Sequence, residues 1–440
     1  MQNHYIKQIL DSLKKQDNYR YLRDFTHNGA YLCGDKKRLL NLVSNDYLGL
    51  ATSKKMIKKF YRFSSKTSQN DFLYFSSSSS RLLSGGFGIY GDFEAYLDSI
   101  FLPKKSLLFN SGYHLNISLL QALSQLPNSL FLLDFYAHAS IIDGVRLGGA
   151  DFKRFRHNDM LHLRELLESR AKKYEHIFII SEGVFSMEGD FAMLGEIIAL
   201  KNEYKKMGKK IYIYLDEAHS VGVFGKSTCD EVAKQKSITR HKKQDLSDFA
   251  FNDFVRDFGA QNDGLGLARA LDLHSQIDFL IFTFGKAIGS MGACVICDKY
   301  FKEFFVNKAR GLIYSTALPP INVAFSHFVF QKLGTKSMAR RRGKLANLSE
   351  VFKSGLGIIA SKYHLIALGK SHIFSLILGE NTRAIKLAKK LESSGIYAPA
   401  IKYPTVPKDM ARIRFCINAN ISQKEAQNVL EILEKHIKSL

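Results

Sequence analysis

At 440 residues, with 46% hydrophobic and 24% charged side chains, the chain can build a large domain and a smaller one, and its ordinary soluble composition excludes a disordered or fibrous protein. No run approaches the roughly 18 uninterrupted apolar residues of a membrane span, and the amphipathic start MQNHYIKQILDSLKKQD lacks the apolar core of a secretion signal, so a cytoplasmic protein is expected. Lys and Arg outnumber Asp and Glu by 63 to 41, a formal charge of +22 that favours anionic partners by long-range attraction. The lysines are nevertheless spread along the chain, with no zinc-finger, RRM or basic-zipper pattern, so neither nucleic acid nor a membrane is expected as a partner. The densest basic cluster, Arg340, Arg341, Arg342 and Lys344, reads as a solvated helix face and as the candidate docking surface for an anionic carrier. The five cysteines (Cys33, Cys229, Cys294, Cys297, Cys416) do not form a disulfide framework. Cys294 and Cys297 lie in GACVICDK, a buried-strand pattern on which residues three apart face opposite ways, so no metal site is expected.

After an N-terminal segment (1–55), short apolar runs alternate with segments of helical period: KSLLFN, SLFLLD, HIFIIS, KIYIYLD and DFLIFTF. Such continuous runs suit strands covered on both faces, which predicts an α/β fold with a mostly parallel sheet between helices over residues 56–325. Functional groups then belong at the carboxyl ends of the strands, where Asp134 and His138, Glu182 and Ser186, Asp216 and His219, and Thr283 and Lys286 lie. Within this domain, residues 226–261 begin polar and then carry Phe251, Phe254 and Phe258 at helical spacing, which reads as an inserted surface cap. Beyond Pro319 and Pro320, amphipathic helices and two strand patterns, HIFSLILG and ARIRFCIN, predict a smaller α+β domain over 326–440.

Two of the strand-end groups suggest specific chemistry. In YLDEAHSVG a carboxylate precedes a histidine by three residues; such a carboxylate can hold a heteroaromatic nitrogen protonated while the imidazole donates to a neighbouring oxygen. In TFGKAIGS, Lys286 stands between Gly285 and Gly289, with little bulk to keep a planar cofactor from forming an imine with its amine.

The segments NLVSNDYLGLA, FNSGYH, FYAHASIIDGVRL, RFRHND, SEGVFSMEGD, YLDEAHSVGVFG, TFGKAIGSMGA, LIYSTALPP and YPTVPKDMARIRF together resemble the α-oxoamine synthase family of fold-type-I pyridoxal-phosphate enzymes. The similarity runs from about residue 20 to the C-terminus, broken by the insertion. It implies pyridoxal 5'-phosphate as cofactor and decarboxylative condensation of an amino acid with an acyl thioester. LIYSTALPP, PTVP followed by ARIR, and SEGVFSMEGD are most similar to the biotin-pathway branch, whose substrates are L-alanine and a pimeloyl group on coenzyme A or acyl carrier protein. Glycine or serine as amino acid, or a fatty acyl donor, would keep the chain in the family, and a non-catalytic partner subunit would lack the lysine that Lys286 retains.

By the same resemblance, Lys286 carries the cofactor as a Schiff base and serves as acid and base at the substrate α-carbon, Asp216 pairs with the pyridine nitrogen, and His219 reaches the ring hydroxyl. His138 stacks on the ring, Ser186 supports the hydroxyl region, and Glu182 is a further cofactor-binding candidate. Backbone amides of Gly112 and Tyr113, with the Thr283 hydroxyl, hold the phosphate. In the family a hydroxyl from the other subunit of a homodimer completes that site, matching Ser315 or Thr316. Asn45 lines the substrate site, and Arg414 matches the arginine that binds the amino-acid carboxylate. Three positions depart from the family pattern. SSSSSRLLSGG is serine-rich where glycines are usual, Tyr90 replaces a histidine, and Lys402 stands where the biotin enzymes can carry an arginine for a distal carboxylate.

Overall fold

The computed structural model describes residues 3–34, 37–64, 73–227 and 262–440, and the chain divides into two compact units. The larger comprises Ser53–Ser186 and Phe191–Gly343; the smaller comprises Met1–Thr52, Met187–Asp190 and Lys344–Leu440. The change of pattern at Pro319–Pro320 suggested a boundary near residue 325. The units divide instead within the helix Lys336–Lys362, and the N-terminal segment groups with the C-terminal one.

The larger unit is built on a seven-stranded sheet. Its strands are β1 (Lys105–Phe109), β2 (Ser129–Asp134), β3 (Asp151–Phe155), β4 (His176–Glu182), β5 (Lys210–Asp216), β6 (Phe279–Thr283) and β7 (Ala293–Cys297), in the order β1-β7-β6-β5-β4-β2-β3. All neighbours from β6 to β3 are parallel, and β7 runs antiparallel between β6 and β1. Every residue of β2, β4, β6 and β7 is buried, which is why these segments read as unbroken apolar runs. Strand β3 gave no such run because only Phe155 is fully buried; Asp151, Lys153 and Arg154 are exposed, and charges on an edge strand discourage pairing with another chain.

Register brings chosen side chains together at one edge of this sheet. Glu182 of β4 lies beside Asp216 of β5, and Ala293 of β7 pairs with both Thr283 of β6 and Phe109 of β1. Helices Gly112–Leu123 and Ala139–Gly148 pack together at very close range. A Cβ at Gly144 would lie 2.8 Å from the Asn116 carbonyl oxygen, and one at Gly148 would lie 2.2 Å from Ser124 Oγ.

The smaller unit holds two four-stranded sheets. In one, Thr26–Asn28, Tyr31–Gly34 and Lys37–Asn41 form an antiparallel meander joined by Ile396–Tyr397; the other orders Ile366–Leu368, Ile373–Gly379, Ala411–Cys416 and Ala400–Ile401. Met187–Asp190 is knitted into this unit. The Met187 carbonyl accepts from Ser375 Oγ (2.7 Å), Glu188 pairs with the buried Arg412 (2.9 Å), and a Cβ at Gly189 would lie 2.0 Å from the Ile373 carbonyl oxygen. No helix among the described residues is long and apolar enough to cross a membrane.

The insertion expected at 226–261, with Phe251, Phe254 and Phe258, lies outside the described residues apart from Lys226 and Ser227. The residues flanking it are tied together: the Lys226 N–H donates to Asp263 Oδ1 and the Asp263 N–H to the Lys226 carbonyl, each at 2.9 Å, and Ser227 pairs with Asn262.

The basic cluster is not one solvated face. Arg340 is exposed and Arg341 half-buried, but Arg342 is only 1% exposed, because it shares the inward side of the helix with Met338 and Leu345. Its guanidinium donates to the carbonyls of Asn262 (2.7 Å), Leu333 (2.9 Å) and Gly222 (3.4 Å), and burial lowers its pKa to about 10. A buried cation that serves three carbonyls is a structural clamp and cannot also dock a carrier. Arg342→Met keeps the volume but removes the donors, so it should destabilise the protein by about 3 kcal/mol or more. A urea unfolding midpoint equal to that of the parent would contradict this role.

Candidate active site

Asp216 closes β5 and is 5% exposed. One oxygen accepts from the Ala218 N–H (3.0 Å) and the other from Asn116 Nδ2 (3.1 Å), so neither is left unsatisfied by burial. Beyond it the chain turns sharply, and Gly222 at φ +89° is where the loop carrying Lys286 packs: a Cβ there would lie 2.7 Å from Ala287 Cβ. This packing sets Lys286 Nζ 2.7 Å from Nε2 of the buried His219. The two residues singled out from the DEAH and TFGK segments are thus a hydrogen-bonded pair, next to a carboxylate three residues away in sequence from the histidine.

Glu182 lies beside Asp216 and accepts the His138 N–H (2.7 Å). Burial, reinforced by the Asp216 charge, pushes its pKa well above the usual carboxylate range. His138 caps the helix Ala139–Gly148: its Nδ1 accepts from the Ser140 N–H (3.2 Å) and lies 2.8 Å from Ser140 Oγ. His138 is an exposed residue, yet desolvation of its ring lowers its pKa. The neutral tautomer then carries its proton on Nε2. Asp134, also at a strand end, has another task. It anchors His157 (2.9 Å) and the Asn158 N–H (3.0 Å) of the RFRHND segment.

At the end of β1, Ser111 caps the helix Gly112–Leu123 by accepting the His114 N–H (3.2 Å), which leaves the first amides, those of Gly112 and Tyr113, at the start of a twelve-residue helix. Thr283 packs directly on this turn: a Cβ at residue 112 would lie 2.5 Å from Thr283 Cγ2. Thr283 Oγ1 is buried without a hydrogen-bond partner among the described residues. An orphaned hydroxyl against free helix amides, in a space kept clear by glycine, fits a phosphate group. The Tyr113 side chain points elsewhere, its hydroxyl donating to Asp143 (2.8 Å). The loop bearing Ser315 and Thr316 is tied to Asn110 at the end of β1, whose Nδ2 donates to the Thr316 carbonyl (2.7 Å) and to Ser315 Oγ (3.3 Å). The departures from the family pattern support that loop. Ser77 Oγ donates to the Ala317 carbonyl (3.0 Å), the Ala317 N–H to the Ser79 carbonyl (2.9 Å), and the Tyr90 hydroxyl to the Leu318 carbonyl.

The remaining candidates lie in the smaller unit, save Ser186, which is half-buried and ends the first segment of the larger one. Arg414 Nη2 reaches Asn45 Oδ1 (3.4 Å), which also accepts from the Tyr47 hydroxyl (3.1 Å). The Lys402 ammonium donates to the Asp17 carbonyl, and burial lowers its pKa.

Asn116, Ser140, Tyr214 and Glu217 were missed by reading motifs. Asn116 is one of two amides on the mostly apolar helix segment LNISLLQAL, and Tyr214 a polar tip in an apolar strand; both signals are weak without knowing what faces them. Glu217 turns away from the site. It is fully buried and accepts the N–H groups of Leu267 (2.9 Å) and Ala268 (2.7 Å) and the Ser220 hydroxyl. Burial nonetheless raises its pKa from 4.5 to about 7. A carboxyl whose folded pKa is raised stabilises the fold while protonated, and that contribution is lost as pH climbs from about 4.5 to about 7. Glu217→Gln should flatten this part of the profile. Urea midpoints measured from pH 5 to pH 8 that fall as steeply in the variant as in the parent would contradict the assignment.

Comparison with known proteins gives the family. The sequence model of the aminotransferase class I and II family matches residues 37–433. A putative 8-amino-7-oxononanoate synthase from Glaesserella parasuis is 38% identical over 426 residues, covering 97% of this chain and 99% of that one. The 8-amino-7-oxononanoate synthase of Haemophilus ducreyi is likewise 38% identical, over 98% of this chain and 100% of its own. Among solved structures, a serine palmitoyltransferase from S. paucimobilis with a bound PLP–myriocin aldimine superposes with a TM-score of 0.79 at 22% identity, covering 100% of this chain and 99% of that one. The 8-amino-7-oxononanoate synthase of Francisella tularensis gives 0.65 at 24% identity, covering 91% and 98%. These structures share the fold-type-I architecture. The chain belongs to the aminotransferase class I and II family, in its α-oxoamine synthase branch of pyridoxal-phosphate-dependent acyltransferases.

Proposed function

We propose that the chain joins L-alanine to a pimeloyl thioester, releasing carbon dioxide and a thiol and giving 8-amino-7-oxononanoate. The observation that carries this reading is the Lys286–His219 contact of 2.7 Å beside Asp216, within a chain whose relatives of that name align along nearly their whole length. Bound pyridoxal phosphate supplies an electron sink that makes the amino-acid α-carbon acidic. The Lys286 amine takes the α-proton and later returns one to the product, with His219 fixing where Nζ stands between the two events. Asp216 holds a proton on the pyridine nitrogen, and its two donors keep both oxygens in place for that contact. His138 offers its open ring face, and Gly112, Tyr113 and Thr283 hold the phosphate. Glu182 steadies His138 through its backbone. Ser186 supports the ring hydroxyl region, Arg414 with Asn45 takes the alanine carboxylate, and Lys402 the distal carboxylate of the acyl chain. The working form is a cytoplasmic homodimer in which Ser315 or Thr316 of one copy completes the phosphate site of the other, with coenzyme A or acyl carrier protein as acyl donor.

The test is a matrix of alanine, glycine and serine against acetyl, pimeloyl and palmitoyl thioesters, with product mass as readout and Lys286→Ala as the blank. The expected result is one dominant product, from alanine and the pimeloyl donor, that the blank does not form. Preferential use of glycine or serine, or of a palmitoyl donor, would overturn the substrate assignment, and equal turnover by the blank would overturn the role of Lys286.

A further inference from the structure

Behind the functional residues lies a closed polar chain in an otherwise apolar interior. Asn116 is 1% exposed, on the first turns of the helix that begins at Gly112. Its Nδ2 lies 3.1 Å from Asp216 Oδ2 and 2.9 Å from Ser140 Oγ, and its Oδ1 lies 2.5 Å from the Tyr214 hydroxyl. A carboxylate only accepts, so the amide nitrogen must face Asp216, and the carbonyl end then faces Tyr214. Burial, with the nearby Asp216 charge, raises the Tyr214 pKa well above its ordinary value, so this hydroxyl stays a donor. Both amide hydrogens and the amide oxygen are thereby used.

The Ser140 N–H, which donates to His138 Nδ1 (3.2 Å), makes that nitrogen an acceptor and so fixes the direction of the remaining bonds. Ser140 Oγ, 2.8 Å from His138 Nδ1, therefore donates its hydrogen to that nitrogen, and its lone pair takes the second N–H of Asn116 (2.9 Å), which braces the hydroxyl in this orientation. Two donors converging on Nδ1 leave the proton of the neutral ring on Nε2. One amide therefore constrains two residues assigned to the cofactor ring, 22 and 100 positions away in sequence. The contact exists because the helix of Ser140 crosses the helix of Asn116 at Gly144, where no Cβ intervenes.

We propose that Asn116, fixed by Tyr214, is a positioning residue that orients the Asp216 carboxylate and, by bracing the Ser140 hydroxyl, steadies the hydrogen bonds that hold His138 for the cofactor ring. This rests on the pyridoxal-phosphate reading of the site. A buried amide that merely fills its space would change stability alone when replaced, whereas a positioning amide also changes how the protein holds and titrates the cofactor.

The experiment uses the purified protein stripped of cofactor, titrated with pyridoxal 5'-phosphate by absorbance, with a pH titration of the bound cofactor's absorption band. Asn116→Leu should raise the dissociation constant by about tenfold or more, the effect of one unsatisfied buried partner, and move the pH midpoint of the band. Tyr214→Phe should move both in the same direction by less, since the amide keeps its two N–H bonds. If Asn116→Leu does not fold, Tyr214→Phe and Ser140→Ala decide the matter by the pH midpoint. Variants that melt lower but keep the parent dissociation constant and pH midpoint would overturn the proposal. A parent protein that takes up no pyridoxal phosphate would overturn the cofactor reading as well, and so be told apart.

Discussion

Burial of the Asp216 carboxylate at the end of a strand is the constraint around which the larger unit is organised. A charge taken out of water costs several kcal/mol unless donors replace the lost solvent. Here one donor is local, the Ala218 N–H, and the other, Asn116, is drawn from a helix almost a hundred residues earlier. The second carboxylate at this edge, Glu182, answers the same constraint in the opposite way: burial and the Asp216 charge raise its pKa, which disfavours a second negative charge there. A third, Glu217, is turned away and satisfied by the amides of residues 267 and 268. Three buried acids within one turn of chain and one strand register thus receive three different environments.

Close approach of backbone is the means by which these groups meet. Gly112 lets Thr283 onto the first turn of a helix, Gly222 lets the Lys286 loop onto the His219 turn, and Gly144 lets Ser140 reach Asn116. In each case a methyl group would lie under 3 Å from its neighbour. These glycines act on the site without touching any reactant, and they explain how the loops after four different strands converge with little side-chain bulk between them.

Much of this was legible in the sequence. Strands buried on both faces announce themselves as apolar runs, and motifs at strand ends name Lys286, Asp216, His219 and His138 directly. What escaped has physical causes. Strand β3 is an edge, so its pattern is charged. Arg342 looks like its exposed neighbour Arg340, and only the helix phase, once Met338 and Leu345 are known to face inward, shows it buried. Asn116 and Tyr214 are single polar groups in apolar settings, where the meaning lies in the partner and not in the spacing. The expected boundary near residue 325 differs from the division between the compact units because the proline pair marks the start of a helix, Pro320–Phe330, that groups with the larger unit.

The claim on which the functional reading turns is that Asp216 makes the amino-acid α-carbon acidic by way of the pyridine nitrogen, and it is tested most directly by proton exchange. The cofactor-loaded protein and its Asp216→Asn variant, nearly identical in shape, are incubated with L-alanine in deuterated water, and loss of the α-proton signal is followed by NMR. Exchange in the parent, and its near abolition in a variant that still melts like the parent, is the predicted result. Exchange in the variant at the parent rate would contradict the role assigned to Asp216.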